Sequence, residues 1–166
     1  MTTARFTIKE LSLWISSSRK TALNQSPVLL NFSAFLKQNG YRVALATATA
    51  PERTKKYLSA LGLYDYFDEI VCASMVAKGK PEPDIYLYAA EKLGLAPENC
   101  IALEDSLNGT KSASSAGCKT VMVPDLDRPS AEAIPLLYGV ADNLIDVKRF
   151  FVKNINGHKA GFAFVY

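Results

Sequence analysis

Two acids stand side by side where an apolar run ends, in Ile101-Ala-Leu-Glu104-Asp105-Ser-Leu-Asn-Gly-Thr110. Adjacent carboxylates leaving a buried strand repel each other unless a cation lies between or beside them. Hard oxygen donors in that setting suit Mg²⁺, which is held by a few carboxylates with water and phosphate completing its shell. The plainer reading is that Asp105 or Ser106 only caps the next helix. A second stretch, Lys78-Gly-Lys-Pro-Glu-Pro-Asp84, carries prolines at 81 and 83. They stiffen the loop, so Lys80 stands on backbone with little freedom. A positioned ammonium beside a helix N-terminus is a phosphate-binding device. An ordinary Pro-started helix with a solvated lysine is the alternative. The third feature is Thr47, directly after Val43–Ala46. Its hydroxyl faces a helix N-terminus whose free N–H groups favour an anion, though Thr at such a place is also a common cap.

The elements that must position these residues are legible from residue 27 onward. Pro27 opens a helix through Leu30, Phe32, Phe35 and Leu36, and Asn39-Gly40 stops it. Val43–Ala46 is a short continuous apolar run, as in a strand buried on both faces. Thr49-Ala-Pro-Glu52 has the capping-box pattern, with Thr49 as the cap of a helix that Gly62 closes. Residues 70–72, 101–103 and 120–123 read as further strands. Pro83 starts a helix stopped at Gly94, Ser106 caps one ending at Gly117, and helical stretches are expected at about 130–138 and 144–151. In an open parallel sheet, ligands bind beyond the carboxyl ends of the strands, where Thr47 and Glu104-Asp105 stand.

Composition agrees with one ordered domain. At 166 residues the chain can bury roughly 70% of its unfolded surface. Apolar residues make up 49% and charged ones 21%, which excludes a disordered polar chain. The net charge of +3 is mild and its lysines and arginines are scattered, so a nucleic-acid partner is not indicated. No window approaches 18 apolar residues, so no membrane span is expected, and no export signal stands at the N-terminus. Cys72, Cys100 and Cys118 are widely spaced beside apolar runs and read as reduced buried thiols of a cytoplasmic protein.

Each signal is modest alone; their order is specific. An apolar strand then Thr47, Gly79-Lys80-Pro-x-Pro-Asp84, then an apolar strand with Glu104-Asp105-Ser106-x-x-Gly109 resembles the haloacid dehalogenase superfamily of phosphohydrolases. The likeness is greatest to the branch of β-phosphoglucomutase and small sugar-phosphate phosphatases. It covers residues 27 to about 150. The resemblance implies an α/β three-layer sandwich with a parallel Rossmann-like sheet. It also implies a Mg²⁺-dependent phosphatase or phosphomutase acting on a small phosphorylated metabolite, a sugar phosphate. By the same resemblance Thr47 and Lys80 hold the transferring phosphoryl group, and Ala48, Thr49 and Asn108 join them in binding substrate. Glu104 and Asp105 would support Mg²⁺, with Gly109 letting the next helix approach closely.

The resemblance breaks at one place. Family members begin with a strand ending in Asp-x-Asp-Gly-Thr, whose first aspartate attacks phosphorus, followed by a cap that selects the substrate. Here the first aspartate is Asp65, preceded only by Glu10 and Glu52 among the acids. Asp125-Leu-Asp127 has the spacing, but Arg128-Pro129 follows it, and it reads as the exit of a later strand. The expected organisation is a cap remnant at 1–26, the core at 27–151 and an extension at 152–166. In the family the first strand lies centrally, between those at 43–46 and 101–103. Its loss leaves two rows of unpaired backbone groups, each costing roughly 1–3 kcal/mol if dry. The chain must close the gap, recruit a substitute such as Gly161–Tyr166, or pair with a second chain. Two functions follow: the family's enzyme, or a non-catalytic relative that keeps a phosphate pocket.

Overall fold

A computed structural model of the chain describes residues 27–123, 129–154 and 163–165. Helix α1 (Pro27–Gln38) leads to strand β1 (Arg42–Thr47), helix α2 (Pro51–Ala60) and strand β2 (Glu69–Cys72). Helix α3 (Asp84–Lys92), strand β3 (Cys100–Glu104), helix α4 (Leu107–Ser115) and strand β4 (Lys119–Met122) follow. A short β5 (Gly139–Val140), helix α5 (Leu144–Asn154) and β6 (Ala163–Val165) complete the described elements. Glycines end the helices as the sequence suggests. Gly62 and Gly94 adopt φ of +66° and +64°, the left-handed turn that lets each helix stop and the chain reverse.

All pairings in the six-stranded sheet are parallel, in the order β2-β1-β6-β3-β4-β5. Buried runs rather than alternating ones are what such a sheet needs, because helices cover both faces. Val43, Leu45, Ile101, Leu103 and Phe164 point to one face, against Leu29, Phe32 and Leu36 of α1, Leu58 of α2, and Leu144 and Val147 of α5. Ala44, Ala46, Ala102 and Val165 point to the other, against Ile85, Tyr86, Ala89 and Ala90 of α3 and Ala113 of α4. Large residues fill the first face; alanines on the second let α3 and α4 sit close. The expected three-layer α/β sandwich is the fold.

The central gap is filled from within the chain. Strand β6 lies between β1 and β3, with Val165 opposite both Ala44 and Ala102. The substitute strand expected from Gly161–Tyr166 is realised over Ala163–Val165. Phe164 at its centre is fully buried.

Two expectations need correction. Residues 130–138 do not form a helix: they make turns and a short 3₁₀ segment at Ile134–Leu136. Pro135 supplies no N–H to continue a helix. Instead the Tyr138 and Ala141 amides donate to Thr120 O and Met122 O of β4, drawing the chain into edge strand β5. Nor is Thr49 the cap of α2. The N-cap is Ala50, without a side-chain cap, and Pro51 occupies the first turn. Asp125, Asp127 and the expected cap remnant at 1–26 lie outside the described residues. No helix among the described residues is long and apolar enough to cross a membrane.

Candidate functional site

The site lies where β1 and β3 end. Thr47 is the last residue of β1, 9% exposed, and pairs in register with Cys72 of β2. Its Oγ1 accepts the Thr49 amide at 3.1 Å, which folds the strand exit into a tight turn and leaves the hydroxyl proton to donate elsewhere. Ala48 is exposed and Thr49 half-buried on that turn. Because no side chain caps α2, its first amides keep the anion-favouring character of a helix N-terminus.

Lys80 reaches this strand end from the loop before α3. The Lys80-Pro81 peptide is cis. The ammonium donates to Ala46 O of β1 at 3.3 Å, to Tyr86 Oη at 3.3 Å, and to Glu104 Oε1. It also lies 5.0 Å from the centre of the Tyr86 ring. The solvated-lysine alternative is thereby excluded: the Lys80 side chain is 21% exposed and ion-paired to a carboxylate that is 4% exposed.

Glu104 ends β3 inside the protein. Tyr86 donates its hydroxyl to Oε1 as well, and Ser106 donates to Oε2 at 3.3 Å. Both oxygens of this buried carboxyl group thus have a donor, and one of the donors is the Lys80 ammonium. Burial, then the negative charge of Glu104, push the Tyr86 phenol well above its ordinary value, so it stays protonated and a donor. Ser106 also caps α4 as expected, its Oγ accepting the Gly109 amide at 3.1 Å. Gly109 is required: a Cβ there would overlap the Glu104 carboxylate. Asp105 is half-buried beside Glu104, while Asn108 is exposed on the first turn of α4.

The structure thus brings Lys80, Glu104 and the end of β1 into contact, with Thr47 next to the carbonyl that Lys80 binds. Tyr86 belongs with them and was not found from the sequence. Its position in an apolar helical pattern marks it as core; only the rule that a buried phenol needs a partner hints at more. Among the described residues no group of three or more His, Cys, Asp or Glu gathers to hold a metal. The donor set nevertheless fits a single hard cation, since Mg²⁺ requires only one or two carboxylates when phosphate and water complete its shell. A cavity of about 440 Å³ between α1 and α5, lined by Phe32, Phe35, Gln38 and Lys148, shares no residue with this site.

A lysine paired with a buried glutamate and a strand-end hydroxyl stand at the carboxyl edge of a parallel α/β sheet, the edge where doubly wound folds bind their ligands. A family model of haloacid dehalogenase-like hydrolases matches residues 22–117, more than half of the chain, and the chain belongs to that family. It is 36% identical over 99 residues to a phosphorylated carbohydrates phosphatase of Thermotoga maritima, covering 60% of this chain and 46% of that one. To hexitol phosphatase B of Escherichia coli K12 it is 38% identical over 91 residues, covering 55% and 41%. Among solved structures, CbbY from Rhodobacter sphaeroides in complex with phosphate superposes with a TM-score of 0.64 at 31% identity, covering 73% of this chain and 55% of that one. A β-phosphoglucomutase from Clostridium difficile gives 0.65 at 28%, covering 76% and 54%. The chain spans about half the length of the curated relatives it matches, or less.

Proposed function

We propose that this chain holds the phosphate and metal side of a phosphoryl-transfer site for a small phosphorylated metabolite, a sugar phosphate. The observation that carries the reading is the ion pair between Lys80 and the buried Glu104 at the carboxyl ends of β1 and β3. Lys80 would neutralise the phosphoryl oxygens, and the Thr47 hydroxyl and the exposed amides at the start of α2 would hydrogen-bond them. Asn108, Ala48 and Thr49 would line the way in. Asp105, with Glu104 behind it, would hold Mg²⁺, which supplies charge neutralisation to a transferring phosphoryl group. Two relatives, the phosphorylated carbohydrates phosphatase and hexitol phosphatase B, support the substrate class.

A specific observation favours binding over turnover for residues 1–166. Val165 is level with Ala44 and Ala102, so a strand in the central slot runs towards Thr47 and Glu104 at the carboxyl edge. The residues there are Ala163-Phe164-Val165, with no Asp-x-Asp. Loss of a covalent nucleophile lowers turnover by about 10⁶-fold. The second reading is therefore a non-catalytic relative, or one that needs an aspartate from another segment or chain.

The test is calorimetric binding of inorganic phosphate with and without Mg²⁺, alongside hydrolysis of p-nitrophenyl phosphate. Wild type should bind phosphate, Lys80→Met should not, and Asp105→Asn should lose the Mg²⁺ enhancement. Equal binding by wild type and Lys80→Met would sink the reading. Hydrolysis that vanishes in Asp105→Asn would establish catalysis with a nucleophile drawn from elsewhere.

A further inference from the structure

The three protons of the Lys80 ammonium are all engaged within the protein. Their partners are Ala46 O, Tyr86 Oη and Glu104 Oε1. A phosphate that binds Lys80 must take one of these protons. The bonds to Ala46 and Tyr86 are long, 3.3 Å each, while the one to Glu104 is charge-assisted, so a long one gives way. As Lys80 shares its charge with phosphate, Glu104 would be left in the core with a weakened cation on the same oxygen. Tyr86 is placed to prevent that. It is fully buried on the first turn of α3, its ring packed in the core beside Ile85 and Ala89. Its hydroxyl proton points at Glu104 Oε1, independent of what Lys80 does.

We propose that Tyr86 is a positioning residue of this site: its hydroxyl oxygen accepts one hydrogen bond from Lys80 while the site is empty, and its proton keeps Glu104 in place when Lys80 turns to a phosphate. The role deepens the phosphate-site reading given above and rests on it. Tyr86 touches neither ligand; it acts through Lys80 and Glu104. Its ring would hold the lysine stem in either state, so the hydroxyl alone makes the difference.

Tyr86→Phe keeps the ring and removes that hydroxyl. Inorganic phosphate affinity of the full chain should fall roughly tenfold, the equivalent of one hydrogen bond to a charged group. Tyr86→Leu, which also removes the ring from beneath the ammonium, should fall further. A second readout does not depend on phosphate. With ¹⁵N-labelled lysine, the Lys80 ammonium protons of wild type should exchange slowly with water, and in Tyr86→Phe at least several-fold faster. Phosphate affinity and exchange both unchanged in Tyr86→Phe, whatever its melting temperature, would mean Tyr86 only packs and would overturn the proposal. Phosphate binding absent from wild type would defeat the phosphate reading and with it the role at a ligand site. In that case accelerated exchange in Tyr86→Phe would still show that the hydroxyl holds the Lys80–Glu104 pair.

Discussion

Phe164 of β6 meets Tyr41 edge to face, ring centroids 5.3 Å apart and planes at 88°. It meets Phe32 of α1 in the same way, at 5.9 Å and 90°. One side chain of a three-residue strand thus ties the centre of the sheet to the helix layer. Truncating a fully buried phenylalanine typically costs 3–5 kcal/mol, and the edge-to-face pairs add to that. Phe164→Ala should therefore lower unfolding free energy by about 4 kcal/mol, read from urea denaturation. It also loosens the side chain that pins β6 to this face, so the measured slope should change as well. A loss under about 1 kcal/mol would mean β6 does not hold the slot in solution.

How much of this was legible in the sequence depends on the element. Strands at 43–46, 70–72, 101–103 and 120–123 could be read because a strand buried on both faces is an unbroken apolar run; the first three are observed a residue or two longer, and the fourth is shifted one residue earlier, to Lys119–Met122. Pro27, Pro83 and the terminal glycines marked the helices for a simple steric reason. Residues 130–138 misled because Ala131, Ala133, Leu136 and Leu137 suit a helix, whereas two amides captured by β4 decide the outcome. A two-residue strand such as β5 leaves no periodic trace. The site was legible as separate candidates, but not as a constellation. That Lys80 contacts Glu104 rather than solvent is set by the depth of the β3 end, and sequence spacing carries no depth. Tyr86 was hidden for the same reason.

Asp68 offers a pH test away from the site. Its carboxylate accepts the Val43 amide at 2.7 Å and pairs with Lys37 at 2.5 Å. Burial pushes its pKa up, but the hydrogen bonds from Lys37 and Val43 and the charges of Lys37 and Arg42 outweigh that, and it ends below its ordinary value. A carboxylate with a depressed folded pKa contributes stability that is present above the unfolded value, near 4, and is lost as pH falls through the folded one. Asp68→Asn should cost about 1–2 kcal/mol at pH 7. The gap from wild type should narrow as pH falls below about 5, through the unfolded value and then the lower folded one. Urea midpoints at pH 7, 5 and 3 read this directly; a gap independent of pH would contradict the assignment.

The three cysteines should be inert in the folded chain. All are buried and free. Burial, with a smaller contribution from the neighbouring Cys100, pushes the Cys118 thiol up to about 12. Burial and Glu98 push Cys100 to about 11, and burial raises Cys72. At pH 8 a thiol at 11 is ionised in roughly one molecule in a thousand, and only the thiolate reacts. Labelling with a thiol reagent at pH 8 should therefore be slow in buffer and fast in 6 M guanidinium, for all three. Rapid labelling of any one in buffer would place it at an opening the structure does not have.

Gly109 offers the sharpest test of the site's geometry, because two effects of opposite sign compete there. Alanine in a helix interior is favoured over glycine by about 1 kcal/mol. Yet the added Cβ would overlap the Glu104 carboxylate, which cannot move freely while Lys80, Tyr86 and Ser106 hold it. Overpacking of this kind costs roughly 1–3 kcal/mol, and here it also breaks hydrogen bonds to a buried charge. The clash should win. Gly109→Ala is expected to lower the unfolding free energy by about 2 kcal/mol and to weaken phosphate binding at least tenfold. Gly79→Ala is the control, since a Cβ there meets nothing within 4 Å and Gly79 lies just before Lys80 on the same loop. If Gly109→Ala were as stable as wild type and bound phosphate equally, Glu104 could not sit where β3 and α4 place it.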